Sequence, residues 1–166
     1  MRWSRLIPVA LVGTATACAP KLTPQQAAVE QQVIAGQLKL WERGMISLKP
    51  DSMALVYEHS PDFMGAWPDG KRTHGWQEEE QAQKAFADST QTYNFDVQDA
   101  NTQVLTTSIA LTMFGHGTDV TDKSGRALYQ GSGTILWFKD PQTKTWLIHA
   151  IQVSRNPSTG GTGQRR

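Results

Sequence analysis

One histidine, one amide and one hydroxyl stand close together near the C-terminus, in the stretch WLIHAIQVS at positions 146–154. They belong to His149, Gln152 and Ser154. An imidazole can act as a general base near neutral pH, and an amide or a hydroxyl can orient or stabilise a reacting group. Because alternate residues of a strand face opposite sides, the spacing predicts that His149 points one way and the other two point the other way.

The same alternation assigns a face to each neighbouring strand. In each strand one alternating set is almost wholly apolar, and we predict that this set faces the inside of the fold. The predicted inward positions are Leu147, His149, Ile151 and Val153 on the last strand, Tyr129, Gly131, Gly133, Ile135 and Trp137 on the strand before it, and Leu105, Ile109, Leu111 and Met113 on the strand before that. The mixed sets, which include Gln152 and Ser154, are predicted to form the outer face, where a homodimer could pack.

His149 is the best single candidate for catalysis, because an inward imidazole on an apolar wall could serve as an acid or base. Tyr129, on the neighbouring strand, could donate a hydrogen bond to a developing oxyanion. A general base also needs an orienting carboxylate, for which Asp62, Asp96 and Asp99 are the possible partners. The alternative is a core histidine satisfied by one partner, which is the commoner role of a buried imidazole.

Aromatic and apolar side chains expected around the inner face predict a pocket for a small hydrophobic ligand. The same side chains could equally be ordinary core. The predicted ligand-binding residues are Trp41, Tyr57, Phe63, Trp67, Phe95, Met113, Tyr129, Ile135, Trp137 and His149.

Metal and cofactor motifs are missing from the sequence. The four histidines are dispersed and none belongs to an H-E-x-x-H pair, and there is no phosphate-binding glycine loop or Gly-x-Ser-x-Gly turn. We therefore predict no metal and no cofactor. The glutamates at 78–80 open a helix, where the helix dipole favours carboxylates, and they are predicted to be a solvated helix start.

The N-terminus is typical of an export signal. Arg2 and Arg5 precede a short apolar stretch at 6–13, and a small-residue cleavage site at 15–17 is followed directly by Cys18, the only cysteine. This arrangement predicts a signal peptide at 1–17 and a lipid on Cys18, which would anchor the exported protein in the cell envelope, on the periplasmic face of the outer membrane if the cell is Gram-negative. Plain secretion is the alternative.

Charge and length restrict the remaining possibilities. The 166 residues suit one domain. Without residues 1–17, which hold two arginines, 14 of the 16 Lys and Arg remain against 15 Asp and Glu, so the net charge is about −1. With no basic surplus to neutralise phosphates, nucleic acid is excluded as an expected partner.

The order of elements predicts an α+β fold, in which a curved antiparallel sheet forms a cone packed against three N-terminal helices. Thr23, Pro24 and Gln26 form a capping box that begins a helix reaching about Lys49, and a short second helix ends before Pro61. A hairpin follows, and then a helix at 77–90 and strands at 92–100, 104–120, 126–139 and 146–155. We expect a spacer at 18–26, the domain at 27–155 and a disordered tail at 156–166.

The closing segment resembles the SnoaL-like domains of the nuclear-transport-factor-2-like superfamily. The residues that carry the resemblance are Thr134, Lys139, Asp140, Trp146, Ile148 and Ser154. Gln152 is a departure, since the family often has a histidine there. The resemblance covers about 27–155 and implies a cone-shaped barrel with a pocket between sheet and helices, often dimeric through the outer sheet face. It also implies two open functions, a binding or assembly domain and an isomerase, cyclase or dehydratase.

Overall fold

The structure is a computed structural model that describes residues 22–156. The predicted signal peptide at 1–17, the predicted lipidation site Cys18 and all but the first residue of the predicted tail lie outside the described residues. No described helix is long and apolar enough to cross a membrane.

Helix α1 spans Pro24–Ser47 and begins at the predicted capping box. The Thr23 side chain accepts from the Gln26 backbone N–H, and the Gln26 side chain accepts from the Thr23 backbone N–H. Apolar residues at helical spacing make one face of α1 buried, and that face lies against the sheet. Helix α2 is short, spanning Pro50–Ala54, and packs closely on α1 at Gly44. A Cβ at that position would lie 2.6 Å from the Ser52 carbonyl oxygen of α2.

Six strands form one sheet, and α3 lies between the second and third. The elements are β1 (Met64–Ala66), β2 (Arg72–His74), α3 (Trp76–Ser89), β3 (Thr90–Val104), β4 (Ile109–Asp122), β5 (Gly125–Lys139) and β6 (Trp146–Arg155). The strand order is β2-β1-β6-β5-β4-β3, and every pairing is antiparallel except β1 with β6. The predicted α+β class, with three helices and a mostly antiparallel sheet, is confirmed.

A β-bulge at His149 changes the face assignment of β6. Leu136 pairs with Ala150 and Trp137 pairs with Ile148, so His149 is an extra residue in its strand. The bulge reverses the alternation on its N-terminal side. Ile151 and Val153 face inward as predicted, but the prediction that Leu147 and His149 face inward is wrong. Trp146 and Ile148 are buried in their place.

The prediction of which face of β4 lies inside is also wrong. Phe114 and His116 lie inside, whereas Met113 is 60% exposed. The neighbouring glycines of β5 explain the choice, because a Cβ at Gly133 would lie 2.3 Å from the Phe114 ring and one at Gly131 would lie 2.5 Å from His116 Nε2. The predicted inner face of β5, which carries these glycines, is correct. The large side chains of Phe114 and His116 on β4 pack over the glycines that pair with them on β5.

Hydrogen bonds hold α1 to the sheet. Glu30 accepts from Lys139 Nζ at 2.6 Å and from Trp146 Nε1 at 2.7 Å. Burial raises the pKa of the Glu30 carboxyl, but the hydrogen bonds from Lys139 and Trp146 lower it, and the net pKa lies below the usual value. This ionised carboxylate therefore fixes the first half of α1 against β5 and β6.

Candidate ligand-binding site

A cavity of about 520 Å³ lies between the inner face of the sheet and the helices. Its exposed lining residues, which include Asp69, Lys71, Ser89 and Arg155, mark the rim. The other lining residues are Trp41, Met45, Met53, Trp67, Pro68, Glu79, Ala82, Gln83, Ala85, Phe86, Thr90, Tyr93, Phe95, His116, Val120, Asp122, Tyr129 and Val153.

Aromatic rings form the apolar part of the wall. Trp41 from α1 meets Phe95 edge-on at 5.2 Å between ring centroids, and Tyr93 stacks on Phe95 at 5.9 Å. Phe86 from α3 meets Tyr93 edge-on at 5.0 Å. These rings hold one another in fixed orientations, so the cavity presents flat apolar surfaces that suit a planar ligand.

His116 lies in the sheet wall with both ring nitrogens engaged. Nε2 is 3.1 Å from the Ser154 carbonyl oxygen and Nδ1 is 3.0 Å from Thr118 Oγ1. A carbonyl only accepts, so in the neutral ring Nε2 carries the proton and Nδ1 accepts from the Thr118 hydroxyl. Burial lowers the pKa of His116, and the hydrogen bond to Ser154 raises it by less. His116 is therefore a neutral ring at pH 7, held in place by two partners.

Glu79 is fully buried on the opposite wall. Its Oε2 accepts from Thr73 Oγ1 at 2.7 Å and from Trp67 Nε1 at 3.1 Å, while Oε1 accepts from Gln83 Nε2 at 3.0 Å. The prediction that the glutamates at 78–80 are a solvated helix start is wrong for Glu79. The first turn of α3 packs under the β1–β2 hairpin, where those donors replace the water that a carboxylate needs.

Gln83 lies one helical turn after Glu79 and is 4% exposed. Its Nε2 donates to Glu79, and its Oε1 is the one buried side-chain nitrogen or oxygen atom among residues 22–156 that has no hydrogen-bond partner. Buried polar atoms are normally paired, so an unpaired acceptor on a cavity wall is a point where a donor would be bound favourably.

Two tyrosines add hydroxyl groups to the cavity. Burial raises the pKa of Tyr93, so that its hydroxyl stays protonated. Tyr129 lies edge-on to His116, and the Arg155 guanidinium covers the Tyr129 ring at 4.3 Å. Behind the wall, burial raises the pKa of Tyr57, whose hydroxyl accepts from Trp41 Nε1 at 2.8 Å.

The predicted ligand-binding residues divide into three groups. Trp41, Trp67, Phe95 and Tyr129 line the cavity. Four others, which do not line it, are buried core: Tyr57, Phe63, Ile135 and Trp137. Met113 and His149 lie on the other face of the sheet, so the prediction that they lie on the pocket wall is wrong.

His149 lies outside the cavity because of the bulge. Its Nδ1 bonds to Glu58, and its ring stacks on Phe138 at 3.9 Å. The carboxylate partner is thus Glu58, and not Asp62, Asp96 or Asp99 as the sequence suggested. Gln152 and Ser154 face outward as predicted, and the Ser154 hydroxyl donates to the Ser132 carbonyl oxygen at 3.1 Å.

Three polar residues of the site, Glu79, Gln83 and His116, were missed from the sequence. One signal was present, since Glu79 and Gln83 occur at i and i+4 on the helical face that also carries Phe86 three residues later. Polar residues on an otherwise inward face indicate a buried network. In residues 22–156, no three His, Cys, Asp or Glu side chains come together in a group that could hold a metal ion.

Comparison with known proteins identifies the fold. No protein-family model matches the chain, and no curated protein matches it. An NTF2-like superfamily protein from Salmonella enterica serovar Typhimurium superposes with a TM-score of 0.72 at 15% identity, covering 84% of this chain and 99% of that one. A provisionally assigned dehydratase of the NTF2-like family from Streptomyces avermitilis gives 0.69 at 11% identity, covering 78% and 98%.

A third structure, an NTF2-like protein of unknown function from Shewanella oneidensis, gives a TM-score of 0.58 at 20% identity and covers 75% of this chain and 98% of that one. The described domain therefore has the NTF2-like, or cystatin-like, fold. At these identities the likeness concerns the fold, and function has to be argued from the site.

Proposed function

We propose that the protein is a binding protein that holds a small, flat and mainly apolar ligand in the cavity between α3 and the sheet. The observation that carries this proposal is the cavity itself, whose volume of about 520 Å³ and aromatic lining are typical of small-molecule sites. The buried Gln83 adds a polar group that can orient a ligand on that apolar surface.

The polar groups of the cavity favour binding over acid–base chemistry. His116 has both ring nitrogens engaged, and each oxygen of Glu79 accepts at least one hydrogen bond. A general base needs a free lone pair within reach of the proton that it removes, and the acceptor nitrogen of neutral His116 is already engaged by the Thr118 hydroxyl. The isomerase, cyclase or dehydratase alternative with His149 as acid or base loses support, because His149 does not line this cavity.

A titration with 2-naphthol tests the proposal. The wild-type protein should quench or shift the probe's fluorescence saturably, with a dissociation constant between about 10 µM and 1 mM for a ligand of this size. Ala82→Phe, which places a ring in the cavity, should weaken binding by at least about tenfold through overpacking. Gln81→Phe adds the same ring on the exposed side of α3 and should bind like the wild type. An absence of saturable binding by the wild type would overturn the proposal.

We also propose that two copies of the chain pack through the outer face of the sheet. Pairing registers place Met64, Ala150, Leu136 and Leu111 side by side across four strands, and we call these residues the outer apolar row. Met64 is 48% exposed, and nearby Met113 is 60% exposed. An exposed apolar strip of this kind is typical of a surface that a partner covers.

The finer family assignment and the location are proposals that rest on the sequence. The closing signature from Thr134 to Ser154 supports membership of the SnoaL-like group. The signal at 1–17 followed by Cys18 supports export and a lipid anchor in the cell envelope. A ligand-binding domain on a membrane surface would then sample small apolar molecules that cross the envelope.

A further inference from the structure

We propose that Gln83 is the specificity-determining residue of the cavity, and that its Oε1 accepts a hydrogen bond from an O–H or N–H group of the ligand. The ligand class is therefore a flat aromatic molecule that carries a donor, such as a phenol or an indole. This inference rests on the proposed function, namely that the cavity binds a small flat ligand.

The orientation of the Gln83 amide follows from its neighbours. The Thr73 hydroxyl and the Trp67 indole N–H both point to Oε2 of Glu79, and an indole nitrogen can only donate. Oε1 of the same carboxylate accepts from Gln83 Nε2 at 3.0 Å. The NH₂ group of Gln83 therefore faces Glu79, and its carbonyl oxygen is left without a partner on a residue that lines the cavity.

Burial makes this oxygen selective. Gln83 is 4% exposed, and its Oε1 has no partner within the described part of the chain. This acceptor is already buried and unpaired in the free protein, so a ligand that brings a donor gains a hydrogen bond there, whereas an apolar ligand of the same shape gains none. Sites with a buried polar group discriminate between such ligands more strongly than apolar sites discriminate between ligands that differ by a methyl group.

The surroundings also position the ligand ring. Phe86 lies three residues further along α3, on the same side, and meets Tyr93 edge-on. Ala82 is the small residue that leaves space beside Gln83. A planar ring with its donor at Gln83 would therefore extend over Phe86 and Tyr93 toward the rim.

A matched pair of probes tests the inference. 2-Naphthol has a hydroxyl donor, and 2-methoxynaphthalene has the same rings without one. The wild-type protein should bind 2-naphthol about tenfold more tightly, as expected for one hydrogen bond to a buried acceptor. Gln83→Met removes the acceptor at similar volume, and the ratio of the two dissociation constants should fall to about one.

Gln81→Met, on the exposed side of α3, is the control and should keep the wild-type ratio. If Gln83→Met does not fold, Gln83→Asn retracts the carbonyl by one methylene and should also reduce the ratio. Equal affinity of the wild type for both probes would overturn the inference, as would an unchanged ratio in the variants, and would indicate that a bound water satisfies Oε1. If neither probe binds the wild type, the proposed function itself fails.

Discussion

His116 is a residue of a type often used in catalysis, but here its hydrogen bonds give it a structural role. Its ring lies under Phe95 at 4.9 Å, and its two nitrogens are engaged by Thr118 and Ser154. Gly131 is required beside it, since a Cβ there would lie 1.9 Å from the Ser154 carbonyl oxygen. The histidine therefore stabilises the junction of β4, β5 and β6 as a neutral ring.

This role predicts a pH-dependent stability. The pKa of His116 is lowered in the folded protein, below the value of about 6.5 expected in an unfolded chain. The stability contributed by His116 is therefore fully present above about pH 6.5, and is lost as the pH falls toward the folded-state pKa, because only the unfolded chain takes up the proton.

Urea unfolding at pH 7.5 and pH 5.5 measures this effect. His116→Gln should lower the free energy of unfolding at pH 7.5 by about 1–3 kcal/mol, as expected for loss of a buried hydrogen-bonded group. The difference between wild type and variant should shrink by about 1 kcal/mol at pH 5.5. The other titrating groups are common to both proteins and cancel in the difference. A difference that stays constant between the two pH values would contradict the assignment.

At the scale of elements, the bulge in β6 separates two surfaces. On one side of it the strand presents Trp146 and Ile148 to the core, and on the other Ile151 and Val153. One extra residue at His149 keeps all four inside and places the imidazole against Phe138 on the outer face. The bulge therefore adds apolar surface to the core and an aromatic pair to the outer face, next to the outer apolar row.

The outer apolar row predicts that the protein is a dimer. Met64→Glu places a charge at the end of this row and should shift the wild-type dimer to monomer at micromolar concentration, because an unpaired charge would have to be buried. Sedimentation equilibrium or light scattering on the purified domain measures the mass. Leu55→Glu is the control, since Leu55 is 62% exposed and lies after α2, outside the outer apolar row. A monomeric wild type, or a Met64→Glu variant that stays dimeric, would refute this packing.

At the scale of the whole molecule, we propose different functions for the described domain and the N-terminal segment. The domain has the NTF2-like fold, with its cavity between α3 and the sheet. The N-terminal segment is proposed to determine the location of the protein. Attachment through a lipid at residue 18 would leave only a few residues between the membrane surface and α1, so that the domain stays near the bilayer.

Cys18→Ser in the full chain tests the anchor. The wild-type protein should sediment with membranes and carry the mass of a diacylated or triacylated N-terminus. The variant should move to the soluble envelope fraction, because each acyl methylene contributes about 0.8 kcal/mol to membrane binding and all of this is lost. Unchanged membrane association of the Cys18→Ser protein would refute lipidation at this position.

Local signals were sufficient to predict most of the elements. The Thr23 capping box begins α1 where the sequence places it, and the strands of the closing sheet lie within a few residues of their predicted bounds. Caps, turns and hydrophobic periodicity act over a few neighbouring residues, so they are visible in the sequence. Of the predicted ligand-binding residues, four lie on the cavity wall, namely Trp41, Trp67, Phe95 and Tyr129, and their binding of a ligand stays a prediction.

The sequence by itself determined the order of helices and strands, the α+β class and the aromatic character of the pocket, because each depends on composition and period. Only the tertiary structure decided which face of β4 is inside, that a bulge turns His149 outward, and that Glu79 and Gln83 are buried together. These features depend on partners distant in sequence, such as Ser154 beside His116 and Trp67 beside Glu79. A polar side chain becomes buried only where such partners replace its water, and strand alternation alone does not reveal them.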